Sequence, residues 1–191
     1  MTQTAPQPAA QTAERAAEDP AVQDLLLAAA ERMELTERGW TEKVTTAGHG
    51  NLITHLTLRL VALGADPETV SWGTRLTKEP SGRWYIPDGI VFRAGNPVQA
   101  DPEAIYAGVP DLAIEILSGD PDTAAGRAER DRDLEEKRRA YAARGIPHYW
   151  IVDPLTRRVA WLALDPRTGA YEDRWEGPLA EVTAPWAAPP A

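Results

Sequence analysis

"PDLAIEILS", Pro110 to Ser118, decides how the chain is read. From Leu112 to Leu117 it is apolar but for one acid, as a buried strand would be. Strand alternation sends Ala113, Glu115 and Leu117 to one face and Leu112, Ile114 and Ile116 to the other. Glu115 is therefore a carboxylate inside an apolar strand, costly to desolvate unless a cation or a donor meets it. By itself it could equally stand on a solvated face or pair with an arginine of the helix that follows.

A second Pro-Asp step, "IPDGIVF" at Ile86 to Phe92, changes that balance. Asp88 also stands beside a strand-like run. Two neighbouring strands that each carry one carboxylate toward the same edge form an oxygen-rich site suited to Mg²⁺ or Mn²⁺. Asp111 is a poor third member, because four residues of extended chain put it about 13 Å from Glu115. Its expected role is turn or strand-start hydrogen bonding.

Outward from these strands the chain alternates in type. Leu52, Leu56, Leu60 and Leu63 form one stripe of a helix over about 51–63, and Ala21 to about Thr36 also reads as an amphipathic helix. "TVSWGTRLT" and "RWYIPDGIVF", separated by "KEPSG", read as adjacent antiparallel strands. A charged helix over roughly 122–144 follows "LAIEIL" and is stopped by Gly145 and Pro147. "HYWIVDP", "RRVAWLAL" and "AYEDRWEG" supply further strands. The expected fold is α/β, a mixed sheet flanked by helices, with a parallel crossover from "LAIEIL" to "HYWIV".

On the long helix Asp133, Lys137 and Tyr141 recur every four residues and share a face. On spacing alone Lys137 reads as a solvated lysine in an ordinary i,i+4 pair. Packed back on the sheet, the helix can instead aim that lysine at Glu115. Arg127, Arg130, Arg132, Arg138 and Arg139 could track a phosphate backbone, or form a solvated face with the interleaved acids.

"PDGIVF", "PDLAIEILS" and "DLEEKRRAYAARGIPHYWIVDP", in that order, resemble the bacterial Uma-type endonuclease family of the PD-(D/E)xK restriction-endonuclease-like superfamily. The resemblance runs from about Pro87 to Pro154, and more loosely back to about Trp40. It implies a restriction-endonuclease-like mixed β-sheet core, with Asp88 and Glu115 as metal ligands and the Ile116 carbonyl as a further one. The superfamily's usual lysine position, two residues after the acid, is Leu117 here. The Uma-type pattern places the lysine on the following helix in a D-x-x-x-K-x-x-x-Y run, which Asp133, Lys137 and Tyr141 satisfy. Asp88, Glu115 and Lys137 are thus the implied catalytic set, with Asp133, Tyr141 and an upstream acid, Glu42, in support. The implied reaction is hydrolysis of phosphodiesters in DNA with Mg²⁺ or Mn²⁺, and a homodimer is a fair expectation, since related nucleases often dimerise to cut both strands.

Composition bounds the rest. The 191 residues suit one domain, read as 20–183 between a disordered leader, 1–19, and a flexible tail, 184–191. The sequence has no cysteine, which removes thiolate metal sites and thiol nucleophiles and fits a reducing cytosol. No apolar run reaches the roughly 20 residues of a membrane span, and the first residues lack a secretion signal, so a soluble cytoplasmic protein is expected. His49 and His55 are six apart and share no helical face, which speaks against zinc. His148 is expected packed or exposed at a strand start. The net charge of -9 opposes binding to nucleic acid by the whole surface and leaves open a catalytically idle relative that binds nucleic acid or protein, or a hydrolase of small phosphodiesters.

Overall fold

The computed structural model of the protein describes residues 33–36, 39–42, 47–74, 76, 85–93, 95–96, 108–118 and 122–186, with the backbone alone for 33–36, 39–42, 47–49, 129, 132 and 133. The chain divides into two compact units, Met1–Met33 and Glu34–Ala191, and every element from the first helix onward belongs to the second. The leader read over 1–19 lies outside the described residues.

Strand β5 (Leu112–Ile116) is buried at all five positions. Such a strand needs a paired neighbour on each edge and a cover on each face. Its edges are met by β4 (Gly89–Val91), antiparallel, and β6 (His148–Asp153), parallel. The sheet extends to β3 (Val70–Trp72) beyond β4, and to β7 (Arg158–Asp165) and β8 (Ala170–Pro178) beyond β6, in the order β3-β4-β5-β6-β7-β8. β5 and β6 form its parallel pair, and the other neighbours are antiparallel. A separate two-stranded ribbon joins β1 (Met33–Thr36) to β2 (Gly39–Glu42).

The alternation along β5 separates two cores. Leu112, Ile114 and Ile116 join Leu52, Leu56 and Leu60 of helix α1 (Ala47–Ala62). Ala113 and Leu117 join Tyr85, Tyr141, Tyr149 and Ile146. Leu56 and Leu60 are fully buried while Leu58 and Val61 of the same helix are exposed, so the leucine stripe faces the sheet. Burying each such leucine stabilises the fold by roughly 1.5–3 kcal/mol.

The crossover from β5 to β6 runs through α2 (Ala124–Asp131), a π-helical turn (Arg132–Glu136) and α3 (Lys137–Arg144). Helix α3 ends at Gly145, whose φ of 83° is open to glycine at no steric cost and whose N–H closes on the Ala142 and Tyr141 carbonyls. The π turn interrupts the four-residue face read from Asp133 to Tyr141. Lys137 and Tyr141 keep it, both lying in regular helix.

Two segments differ from the sequence reading. Met33–Thr36, assigned to the end of a helix, is strand, because its backbone groups pair across the ribbon with Gly39–Glu42 rather than along a helix. The rest of that helix, 21–32, falls outside the described residues. Of the tail, Ala184 is buried, and Trp186 packs against the α1-side core and donates its indole N–H to the Leu63 carbonyl at 3.3 Å.

Candidate active site

The antiparallel register Gly89 to Ile114 carries Asp88 alongside the C-terminal end of β5. Pro87 fixes the backbone just before it. The Asp88 carboxylate, 7% exposed, accepts the N–H of Ile116 at 2.7 Å on Oδ2, the amide that directly follows Glu115. Behind it stands Gly89, where a Cβ would come within 2.6 Å of the Trp72 ring, so only glycine lets that indole cross the strand. Trp72 donates its N–H to Thr57 of α1 at 3.0 Å, which fixes the ring in place.

Glu115 is 1% exposed. Its Oε2 lies 2.8 Å from Nζ of Lys137, itself 1% exposed, and its Oε1 accepts the Tyr141 hydroxyl at 2.6 Å. Lysine and tyrosine stand one helical turn apart on α3, so both reach down to the same carboxylate. Tyr141 is held edge-on between Tyr85, at 6.2 Å, and Tyr149, at 5.3 Å between ring centroids. Helical spacing alone read Lys137 as solvated; with the crossover folded back onto the sheet it is a buried cation.

A third buried acid accompanies Asp88 and Glu115. Glu136, 6% exposed, accepts the Tyr85 hydroxyl at 2.7 Å. Sequence reasoning placed Glu136 close to the Lys137 face without a role and gave Tyr85 none. The available signals were an acid directly before the lysine and a tyrosine three residues before Asp88.

Asp111 lies apart from this set. Its Oδ2 accepts the Arg93 N–H at 2.7 Å and the Asn96 amide at 2.9 Å, the loop bonding expected of it. Arg130 is ion-paired to Asp153 at 2.9 Å, with 16% of its side chain exposed. Arg138 donates to the Tyr171 carbonyl at 2.8 Å and faces Asp173 at 3.7 Å, whereas Arg127 is exposed. The side chains of Glu42, His49, Arg132 and Asp133 lie outside the described residues. His55 is exposed. His148 accepts the indole N–H of Trp161 on Nδ1 at 3.3 Å, and burial, opposed by Asp111 and reinforced by Arg93 and Arg174, holds its pKa below the usual 6.5.

Among the described residues no three His, Cys, Asp or Glu side chains are grouped to hold a metal ion. The candidate donors are two carboxylates, Asp88 and Glu115, and the Ile116 peptide oxygen. Hard oxygens of this kind, few in number, match Mg²⁺, which is commonly held by one or two carboxylates together with waters and substrate phosphates. The bonds to Lys137 and Tyr141 are compatible with a cation, since a carboxylate offers about four lone-pair positions. Formal charges of Asp88, Glu115 and Lys137 leave the group anionic, so a cation is electrostatically welcome. The donor set therefore fits the ion.

A mixed sheet with one parallel pair, covered by helices on both faces, makes the fold α/β. The chain belongs to the family described as "Uma2: Putative restriction endonuclease", whose profile matches residues 21–184. A solved structure from Anabaena variabilis, titled as a putative nuclease, is similar at 18% identity and a TM-score of 0.49, over 69% of this chain and 71% of that one. No curated protein matches the chain. No helix among the described residues is long and apolar enough to cross a membrane.

Proposed function

We propose that this protein is a metal-dependent endonuclease that hydrolyses phosphodiester bonds in DNA. The observation that carries the reading is the meeting of three chemistry-bearing groups from distant parts of the chain: Lys137 on Glu115 at 2.8 Å, and Asp88 on the next peptide N–H at 2.7 Å. Membership of a family described as a restriction endonuclease supports it.

Asp88 and Glu115, with the Ile116 carbonyl, would hold Mg²⁺ or Mn²⁺, which supplies Lewis acidity and a more acidic bound water. The chain's own residues do the rest. Tyr141 and Lys137 fix both oxygens of Glu115, so the carboxylate keeps one orientation. Lys137 brings a positive charge to a site screened from water, where it stabilises negative charge gathering on a phosphoryl group far more than it would in solvent.

Purified protein incubated with plasmid and Mg²⁺ or Mn²⁺ tests this directly. Cleavage is expected from the parent and a loss of about 100-fold or more from D88A, E115A and K137A. Cleavage that persists in all three variants would place the chemistry elsewhere. The rival reading, a catalytically idle fold that binds nucleic acid or protein, draws on the net charge of -9 and on side chains no more than 7% exposed at the site. Absence of divalent-metal binding by calorimetry would select that rival.

A further inference from the structure

Glu136 is a carboxylate at 6% exposure, peptide-bonded to Lys137. Removing a charge from water is costly, and an apolar residue could end the π turn without that cost. Its partner is informative. Tyr85, which donates to Glu136 at 2.7 Å, stands three residues before Asp88 in "YIPD".

Three segments bear the site: 85–88, 115–116 and 136–141. Each pair of them is joined by a buried hydrogen bond. Asp88 to the Ile116 N–H ties the first to the second, Glu115 to Lys137 and Tyr141 ties the second to the third, and Tyr85 to Glu136 ties the third back to the first. Backbone bonds hold the first segment as well, Gly73 donating to the Asp88 carbonyl at 2.8 Å and Leu76 to the Tyr85 carbonyl at 3.2 Å, and the three side-chain links add to them. The third closes the ring, and the edge-on contact of Tyr85 with Tyr141 stiffens the same side.

We propose that Glu136, acting through Tyr85, is a positioning residue of this site, fixing the segment that carries Asp88 against the turn that carries Lys137. The proposal rests on the nuclease reading for its consequence, not for its geometry. A bond that positions a carboxylate ligand from outside typically alters metal affinity or activity by roughly 10–100-fold when removed.

The test compares Y85F, E136A and E136Q with the parent in the full chain. Amide hydrogen exchange is followed at Ile116, whose N–H is held by Asp88, and at Ile114 in the same strand, while Mn²⁺ affinity is measured by calorimetry and plasmid cleavage by kcat and KM. Expected are a severalfold rise in exchange at Ile116 without one at Ile114 in Y85F and E136A, and an Mn²⁺ affinity lower by about 10-fold. A fall in kcat at unchanged KM should accompany them. E136Q should recover much of each loss, since its amide oxygen still accepts the Tyr85 hydroxyl. Exchange at Ile116 that stays at the parent level, or rises together with Ile114, overturns the proposal, as does unchanged Mn²⁺ affinity in variants of a parent that binds the ion. A parent that neither binds Mn²⁺ nor cuts plasmid sinks the nuclease reading instead, and the Ile116 comparison still decides whether Glu136 positions the Asp88 segment.

Discussion

Lys137 and Glu115, each 1% exposed and 2.8 Å apart, compensate each other for the water both have lost. Such a pair adds little over a well-packed apolar substitute, but half of it is strongly destabilising. K137M, which leaves the Glu115 carboxylate buried without its cation, should cost about 3–5 kcal/mol of unfolding free energy by urea titration. The double variant E115Q/K137M should recover a large part of that, and a double-mutant cycle checks it. If K137M alone unfolds at the parent midpoint, the ammonium is not buried in solution. Gly89 sets a second residue-scale condition. G89A brings a methyl to 2.6 Å from the Trp72 ring, so ring or strand must move. Overpacking of this kind costs roughly 1–3 kcal/mol. Thermal unfolding should show the loss.

Among the elements, α1 contributes through one stripe. Leu56 is fully buried against Leu112, Ile114 and Ile116, so L56A should destabilise by roughly 2–5 kcal/mol, whereas L58A on the exposed face should change little. Denaturant midpoints of the two variants provide the comparison. The end of α3 is equally specific. An alanine at Gly145 must adopt a left-handed φ near 83°, at about 1–2 kcal/mol. The crossover depends on its π turn as well. Arg130 and Lys137 are seven residues apart, two turns of a continuous α-helix, and would line up on one face. The extra residue of the π turn rotates one half against the other. Arg130 then reaches Asp153 at the end of β6 while Lys137 reaches Glu115 in β5. Nothing in the local sequence announces such a turn, and its two halves end on contacts to different strands.

At the scale of the whole molecule, His148 and Asp153, both with lowered pKa values, contribute to the response to acid. His148 is held below 6.5 chiefly by burial, and its Nδ1 must be unprotonated to accept from Trp161, since an indole N–H only donates. The folded state therefore binds this proton less readily than the unfolded chain. Its contribution is intact above the unfolded value of about 6.5 and is lost as pH falls from there through the lower folded value. Thermal midpoints should decline from about pH 7 to about 5.5 in the parent and more gently in H148Q. A parallel decline in both would show that other groups dominate. Asp153 acts at lower pH. Partial burial, which raises its pKa, is outweighed by the Leu155 N–H, the Arg130 guanidinium and the Thr156 N–H, leaving it below 3.8. Its contribution is present above the unfolded value and fades as pH falls through the folded one, so D153N should flatten the acid limb of the stability curve.

Periodicity by itself determined the inward faces of single elements in this protein. The β5 alternation and the leucine stripe of α1 follow from side-chain direction along one segment, which repeats with local geometry, and the antiparallel pairing of the runs around Ser71 and Ile90 and the stop at Gly145 were legible from turn and cap residues. The two Pro-Asp steps were legible as well, and so was the different, loop-bonding part of Asp111. Which segments meet was decided only by the tertiary structure. Whether Lys137 faces water or Glu115 depends on where the crossover helix lands, and its spacing fits either outcome. Glu136 and Tyr85 carry no periodic signal, the strand at Met33–Thr36 exists through its pairing partner, and Trp186 gains its place from the Leu63 carbonyl. A contact between distant segments is a property of both at once, and a pattern read along one of them cannot contain it.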